Sequence, residues 1–367
     1  TGPPGGSAAR RGTGTGVGVV RQTAGMRHDT AAPESGPLCA GTPGRITALD
    51  ALRGFALCGI VFINIPQTMD MFDYAGQMPF GLRFFVLGRF YPIFYLLFGL
   101  GFGLFLRSAA RSSARPRPLL VRRFAALALM GAVLHLIQPG EVLLPFAVAG
   151  LLVLLPASYL PQRGVVAVGT VLTIAGILAG VGGFGLLPGL FTLGFALAKL
   201  RVPRTLHRRA PQLAVLVAAG AALAAASLGL VALELPAMAQ PRIGLLLSTS
   251  MSACYAGLFL LLMRTPAARP LDAVLAPMGR MALTNYFTAA LLFVPLGLAM
   301  GLHDSSLWGR TAALGAGILA LQAVWSPLWL RAFAYGPLEW VWRCATYWRI
   351  LPIKERVQSR SGPPGIH

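Results

Sequence analysis

Three polar residues, Asp50, Arg53 and Asn64, interrupt the first long apolar run of the chain. A charge in hydrocarbon is costly, so ionisable residues inside such a run usually mark a functional site. At about 100° per residue, Arg53 and Asn64 return to one face of a helix after about three turns, and Asp50 joins that face one turn earlier. The spacing therefore predicts a helix with one polar face, suited to binding an ion or a polar ligand.

His135 and Glu141 are the candidate acid–base pair. His135 lies inside an apolar run, whereas the other four histidines belong to tails or loops. Imidazole titrates near neutral pH without help from its surroundings, which makes His135 the best general base available. Glu141 follows across a Gln-Pro-Gly turn and is expected to orient the imidazole or to pair with its charge. A histidine at a helix end is also often only an interfacial polar residue, and that alternative stays open.

The composition is that of a membrane protein. Hydrophobic residues make up 56% of the chain and charged residues only 11%, whereas soluble domains carry roughly 25% charged residues. The net charge of +20 comes from arginine and lysine in short loops between apolar runs. Because these residues form no continuous basic face, nucleic acid is not an expected partner. The four cysteines have no metal-ligand spacing, so neither a metal site nor a disulfide is expected.

Ten apolar stretches are long enough to cross about 30 Å of hydrocarbon. They are roughly 49–69, 84–106, 119–138, 141–160, 164–182, 184–200, 211–233, 243–263, 278–301 and 308–333. With the N terminus inside, 27 of the 31 basic residues fall on the cytoplasmic side, in agreement with the positive-inside rule. The sequence therefore predicts an all-α, polytopic integral membrane helix bundle with about ten transmembrane helices. Both termini are expected in the cytoplasm, and the lipid bilayer is the expected partner.

Composition divides the chain into four segments. Residues 1–44 are rich in Gly, Thr, Pro, Ser and Arg and are predicted to be a disordered cytoplasmic tail. Residues 45–335 are the predicted transmembrane helical domain. Aromatic and basic residues in 336–350 predict an amphipathic segment at the membrane interface, and residues 351–367 are predicted to be a basic cytoplasmic tail.

Within the second apolar stretch, Gly99-Leu-Gly-Phe-Gly103 follows no strand and has no Lys-Ser/Thr. It therefore predicts close helix packing, not a phosphate loop.

Under this topology, the polar residues of the spans fall into two groups on opposite sides of the membrane. The outer group consists of Asn64, Arg89, His135 and Glu141, and the inner group consists of Asp50, Arg53, Arg280, Asn285, Tyr286 and Gln322. Structural alternatives stay open for both groups. Asp50 and Arg53 are an i, i+3 pair that neutralises itself. Arg280 is alternatively a positive-inside anchor. The alternative role of four other residues is to hold helices together through interhelical contacts: Asn64, Asn285, Tyr286 and Gln322.

Several blocks of the sequence resemble a known family. They are Arg45-Ile-Thr-Ala-Leu-Asp50-Ala-Leu-Arg53-Gly-Phe-Ala with Asn64-Ile65, Leu97-Phe-Gly-Leu-Gly-Phe102, Gly131-Ala-Val-Leu-His135, Gly140-Glu141-Val-Leu, Gly279-Arg280-Met-Ala-Leu-Thr-Asn285-Tyr286, and Gly336-Pro-Leu-Glu339-Trp340-Val-Trp-Arg343 with Thr346-Tyr347. In this order they resemble the YeiB family of bacterial membrane proteins and bracket nearly everything from Arg45 to Tyr347. That family is a domain of unknown function, loosely described as transport-related.

The first-helix pattern also resembles the wider transmembrane acyltransferase superfamily, which includes bacterial sugar O-acyltransferases and the lysosomal heparan glucosaminide N-acetyltransferase. Such enzymes take an acyl group from cytoplasmic acyl-CoA and deliver it to an acceptor on the other side. The chain departs from these patterns at three positions. Asn64 stands where the O-acyltransferase branch has a histidine, Glu141 where the YeiB family usually has Asp, and Phe146 where that family usually has Tyr.

The combined expectation is an integral membrane acyltransferase. Arg53 and Arg280 are expected to attract the phosphates of acyl-CoA, the donor substrate, from the cytoplasm. His135, supported by Glu141, is expected to activate a hydroxyl or amine of a small-molecule or glycan acceptor at the outer face.

The outer group leaves two other functions open. For acyl transfer, Asn64 and Arg89 are expected to hydrogen-bond the substrate or the developing oxyanion. In a proton-coupled small-solute transporter, His135 and Glu141 would instead form the proton relay, and Arg53 an anion or counter-ion site. A non-catalytic membrane scaffold is the third interpretation.

Overall fold

The computed structural model describes residues 1–2, 47–233, 236–237 and 239–354, and every regular element in these ranges is helical. The α-helices are α1 (Thr47–Thr68), α2 (Tyr91–Ser112), α3 (Pro116–His135), α4 (Leu143–Ala149), α5 (Leu155–Ala157), α6 (Gln162–Ala179), α7 (Leu187–Lys199), α8 (Val202–Thr205), α9 (Ala210–Ala232), α10 (Gln240–Leu262), α11 (Ala268–Arg280), α12 (Ala282–Ala299), α13 (Trp308–Ala332) and α14 (Pro337–Tyr347). Apart from residues 1–2, the predicted tail of 1–44 lies outside the described residues, as do residues 355–367 of the second predicted tail.

Eight helical segments of the described chain are long and apolar enough to cross a membrane. They are Thr47–Thr68, Leu82–Ser112, Pro116–His135, Gln162–Ala179, Ala210–Ala232, Gln240–Leu262, Ala282–Ala299 and Trp308–Ala332. Each corresponds to one of the predicted spans. The other two predicted spans, 141–160 and 184–200, are the shorter apolar helices Leu143–Ala157 and Gly183–Lys199. The chain is therefore an all-α integral membrane protein, as predicted, while the count of ten spans and the side of the termini stay predictions.

Helix α1 serves to name the two ends of the bundle. After the predicted topology, we call the end at which α1 begins the inner end and the end at which it finishes the outer end. Near the inner end, α11 runs antiparallel to α1 with the two backbones in contact. A Cβ on Gly279 would lie 1.8 Å from the carbonyl oxygen of Asp50, and a Cβ on Gly54 would lie 2.1 Å from that of Leu275. This glycine seam positions the Asp50–Arg53 turn against α11.

A second seam joins α2 to α7. A Cβ on Gly99 would lie 1.8 Å from the carbonyl oxygen of Phe191, and a Cβ on Gly103 would lie 2.4 Å from the Cβ of Ala198. The packing role predicted for the Gly99 run is therefore confirmed. Aromatic rings fill the space beside the seam. The ring centres of Phe98 and the fully buried Phe146 lie 4.6 Å apart, with the rings edge to face.

The C-terminal helix α14 is latched onto α12 and α3. The half-buried carboxylate of Glu339 accepts hydrogen bonds from the backbone N–H groups of Leu283 (2.7 Å) and Thr284 (3.1 Å), which lie in the first turn of α12 and have no partner within that helix. Trp342 Nε1 donates to the carbonyl oxygen of Arg123 on α3 (2.8 Å). The segment predicted to be interfacial is thus helical over Pro337–Tyr347 and too short to span a bilayer.

Candidate functional site

At the outer end, four polar side chains, Asn64, Gln67, Tyr91 and Tyr286, form hydrogen bonds with one another or with the backbone on either side of Glu141. We call these four residues and Glu141 the outer cluster. The Tyr91 hydroxyl donates to Asn64 Oδ1 (2.9 Å) and lies 3.3 Å from Gln67 Oε1. The Tyr286 hydroxyl interacts with the Asn64 side chain and accepts a hydrogen bond from the backbone N–H of residue 142 (3.2 Å). Gln67 Nε2 donates to the carbonyl oxygen of residue 140 (3.1 Å). The cluster therefore ties α1, α2 and α12 to the turn between α3 and α4.

Glu141 is the buried carboxylate of this cluster, with 1% of its surface exposed. Its two oxygens accept hydrogen bonds from the backbone N–H groups of Leu143 and Leu144, so the side chain caps the N terminus of α4. Burial raises the pKa of Glu141 above its ordinary value, while the two N–H groups and the charge of His135 act in the opposite direction. A carboxyl group with a raised pKa can take up and release a proton closer to neutral pH.

A cavity of about 370 Å³ opens beside the outer cluster. Its lining includes Arg83, Gly88, Arg89, Tyr91, Gly244 and Ser248, among others on α10 and in the 3-10 turn that precedes α7. Tyr91 is shared, because the residue lines the cavity and its hydroxyl belongs to the outer cluster. Arg83 and Arg89 supply positive charge to the wall, which suits an anionic or polyol ligand.

Serines of α10 hold the backbone that presents Arg89 to the cavity. Ser248 Oγ donates to the carbonyl oxygen of Gly88, and Ser252 Oγ donates to that of Arg89. Gly88 has a φ of 76°, in the left-handed region that favours glycine, so the chain can turn sharply into α2 at this point. Arg89 Nε donates to the carbonyl oxygen of Phe84 (3.1 Å), which fixes the guanidinium at the start of α2.

At the inner end, Arg53 Nη1 lies 3.0 Å from Asp50 Oδ1, and both side chains are largely buried. Arg280 Nη2 donates to the carbonyl oxygen of Ala334 (3.3 Å), between α13 and α14. The Arg53 guanidinium extends towards α2, where its Nη2 lies within 4 Å of the position that a Cβ on Gly101 would occupy. The predicted i, i+3 ion pair is therefore present, and it leaves part of the guanidinium facing a neighbouring helix.

Asn285 and Gln322, predicted at the inner donor site, bond within the packing of α11, α12 and α13. Asn285 Nδ2 donates to Met278 O (3.1 Å) and Ser326 Oγ (2.9 Å). Gln322 Nε2 donates to the backbone carbonyl oxygen of Asn285 (2.8 Å). Trp325 Nε1 donates to the side-chain oxygen of Asn285, Oδ1 (3.1 Å). These contacts correspond to the structural alternative, in which the two amides hold helices together.

Two predicted arrangements need correction. Tyr286 was expected in the inner group, yet its hydroxyl lies in the outer cluster, because its long side chain reaches the α3–α4 turn from α12. Of the two roles expected of Glu141, the interaction with the charge of His135 is present, whereas no hydrogen bond to the carboxylate orients the imidazole. His135 is exposed at the end of α3 and interacts with Glu141 only through its charge, since backbone N–H groups hold the carboxylate.

The periodicity of α3 explains why His135 faces outward and identifies a residue that sequence reasoning missed. The buried face of this helix is Leu120, Phe124, Leu127, Gly131 and Leu134, in steps of three or four residues. The next position on that face is Gln138, which is 1% exposed. His135 follows Leu134 directly and lies about 100° away from the buried face. Tyr91 and Gln67 were also missed, because polar residues at the ends of apolar runs carry no signal of their partners.

The chain is similar to a family and to individual proteins whose functions are not known. Residues 197–349 match the family described as "Protein of unknown function (DUF418)". The chain is 33% identical over 335 residues to an uncharacterized 39.9 kDa protein in the amylase 3' region of Bacillus acidopullulyticus, covering 84% of this chain and 96% of that protein. It is 26% identical over 397 aligned positions to the uncharacterized protein YxaH of Bacillus subtilis (strain 168), covering 86% and 97%. A segment of 76 residues, 20% of this chain and 19% of the relative, is 41% identical to the uncharacterized protein YeiB of Escherichia coli (strain K12). No solved structure matches the chain significantly.

Proposed function

The chain belongs to the YeiB-like family of membrane proteins, a family of unknown function, and from this premise we propose that it is a membrane acyltransferase. In this proposal it acts in the bacterial plasma membrane. The acyl group comes from a coenzyme A thioester on the cytoplasmic side, and the acceptor, a hydroxyl or amine of a small molecule or glycan, binds in the outer cavity.

The proposal depends on the placement of two polar sites at opposite ends of one helix. Asp50 and Arg53 lie at the inner end of α1, and Asn64 lies at its outer end beside the cavity. Eleven residues separate Arg53 from Asn64, which corresponds to about 16 Å along the helix axis. The phosphates of the donor would bind to the inner arginines, Arg53 and Arg280. Its acyl end must therefore cross the membrane interior to reach the outer cluster. A scaffold has no need of charged groups at either place.

The outer residues suit the chemistry of acyl transfer. The acceptor oxygen or nitrogen attacks the thioester carbonyl, the carbon–sulfur bond breaks, and the acceptor's proton passes to a base while the thiolate leaves and is protonated by solvent. We assign the role of base to Glu141, because it is buried in the outer cluster. The exposed His135 would then exchange the proton of Glu141 with solvent. Arg89 and Tyr91, on the cavity wall, and Asn64 are the donors for the developing oxyanion.

The second candidate is proton-coupled transport of a small anion. A specific pair favours it, since the buried, protonatable Glu141 interacts with the charge of the exposed His135, as a relay between protein interior and water would require. In that case the arginines of the outer cavity would bind the transported anion, and no acyl group would be transferred.

Filling the cavity tests the proposal with a matched control. A Cβ on Gly244, in the cavity wall, meets nothing within 4 Å, and the same is true of Gly229 on the exposed face of α9. Gly244→Leu should therefore occupy the cavity without a clash, and Gly229→Leu should add the same side chain elsewhere. Cells producing each variant, wild type or Glu141→Gln receive radiolabelled acetate, and label is followed into membrane lipids and surface glycans.

Acyl transfer predicts a labelled ester or amide that is present with wild type and Gly229→Leu and absent with Gly244→Leu. Glu141→Gln should reduce its rate by about 10²- to 10⁴-fold, the usual contribution of a positioned base. Identical labelling in all four strains would refute the proposal. Uptake of an anion into proteoliposomes that depends on a pH gradient, without any labelled product, would assign transport instead.

A further inference from the structure

Three arginines from separate helices converge at the inner end. They are Arg53 on α1, Arg123 on α3 and Arg343 on α14. The Arg123 guanidinium lies over Phe102 and Phe105 of α2 and over Trp342, the residue before Arg343, and Arg53 Nη2 lies within 4 Å of a Cβ position on Gly101 of α2. The charge of Arg123 interacts unfavourably with those of Arg53 and Arg343. Asp50 is paired with Arg53. Among the described residues, no salt bridge to Arg123 or Arg343 is formed, so the group carries an excess of positive charge.

Aromatic rings hold the central arginine in place. The Arg123 guanidinium carbon lies 3.6 Å from the centre of a Trp342 ring and 4.6 Å from that of Phe105. Stacking fixes the plane of a guanidinium while leaving its N–H edge available. The Nε atoms of Arg123 and Arg343 are both buried and, in the part of the chain that the structure describes, have no hydrogen-bond partner. Buried donors without acceptors are costly, and so are like charges held together.

We propose that Arg53, Arg123 and Arg343 form a binding site for a phosphate group, either of a free phosphate-bearing molecule or of a lipid headgroup. A phosphate dianion would supply acceptors for the two unpartnered Nε donors and offset the repulsion between the guanidinium groups. Because Arg343 comes from α14, this helix completes the site. The inference rests on the proposed function only in sharing Arg53 with the donor end, and it claims phosphate binding whichever reaction follows.

Binding of pyrophosphate to the full chain is the direct test. The protein is purified into nanodiscs of phosphatidylcholine, and pyrophosphate is titrated while tryptophan fluorescence and the melting temperature are recorded. The variants are Arg123→Gln and Arg343→Gln, and the control is Arg122→Gln, which removes the exposed neighbouring charge on the same helix. Loss of a charge-assisted hydrogen bond should weaken binding by about tenfold or more in each variant. The control should stay within about twofold of wild type, the effect expected of a single screened surface charge.

A second set of nanodiscs, containing phosphatidic acid, separates the two sources of phosphate. If the natural ligand is a headgroup, this lipid raises the melting temperature of wild type and of Arg122→Gln, but not of the two variants, and weakens pyrophosphate binding. If the ligand is a free molecule, pyrophosphate binds equally in both kinds of disc.

The inference would be overturned if neither phosphate source changed the fluorescence or the melting temperature, or if all variants responded equally. It would also be overturned if Arg123→Gln were destabilised but bound phosphate as wild type does, because Arg123 would then have only a packing role. Should Arg123→Gln fail to fold, the partly exposed Arg343 carries the same test. Pyrophosphate binding without acyl transfer in the labelling experiment would remove the proposed function and keep this site, whereas acyl transfer without phosphate binding would do the reverse.

Discussion

Replacing Gly54 by alanine is predicted to force α1 and α11 apart. A Cβ at this position would lie 2.1 Å from the carbonyl oxygen of Leu275, whereas ordinary van der Waals contact begins at 3.4 Å. The two backbones must therefore separate by about 1.3 Å, the difference between these distances. The obstacle is backbone and not a flexible side chain, so the seam cannot relax locally. We expect a loss of about 1–3 kcal/mol in the free energy of unfolding, the usual cost of overpacking.

Gly101→Ala on α2 is the matched control, because the nearest atom to a Cβ there is Arg53 Nη2 at 3.8 Å. Heating the purified variants in one detergent should lower the melting temperature of Gly54→Ala by a few degrees and leave Gly101→Ala unchanged. Gly279→Ala meets the same seam, so the double variant with Gly54→Ala should lose less than the sum of the single losses, since one separation accommodates both methyl groups. Equal melting temperatures for Gly54→Ala and Gly101→Ala would refute backbone contact between α1 and α11.

Three further predictions concern the latch, the topology and the outer cluster. Burial raises the pKa of Glu339 above the value of about 4.5 in the unfolded chain. The contribution of Glu339 to the free energy of unfolding is therefore largest below pH 4.5 and falls as the pH rises through the pKa of the folded protein. The melting temperature, measured from pH 4 to 8, should fall with pH in wild type and fall less in Glu339→Gln. Glu339→Ala should cost about 1–3 kcal/mol, because it strands buried N–H donors, and a melting temperature equal to that of Glu339→Gln would contradict the latch. Single cysteines beside Arg115 and Arg204 should react with an impermeant thiol reagent only after the cells are opened, and labelling of intact cells would reject the predicted topology. Tyr91→Phe should weaken labelling of the acyl product while leaving the free energy of unfolding within about 1.5 kcal/mol of wild type, the contribution of one neutral hydrogen bond. Unchanged labelling would exclude the hydroxyl from the reaction.

The sequence by itself determined the membrane class, the helical fold and the approximate limits of the spans. Bilayer thickness sets the length of an apolar run, and the backbone in hydrocarbon must satisfy its hydrogen bonds internally, so these properties follow from local composition. The Gly99–Gly103 run could also be interpreted locally, since small residues at a spacing of four lie on one face of a helix. The Asp50–Arg53 pair was predictable for the same reason, because i, i+3 neighbours always meet on a helix.

Only the tertiary structure decided which polar groups meet. Tyr91 bonds to Asn64 from 27 positions away, and the Tyr286 hydroxyl meets a backbone N–H from 144 positions away. Such contacts depend on how helices are placed side by side, which hydrophobic periodicity does not encode. The same holds for Glu141, whose carboxylate accepts hydrogen bonds from the free N–H groups of the next helix and interacts with His135 through charge alone. A buried charge takes the partners that the packed backbone offers, because leaving it without them costs more than any single side-chain pair returns.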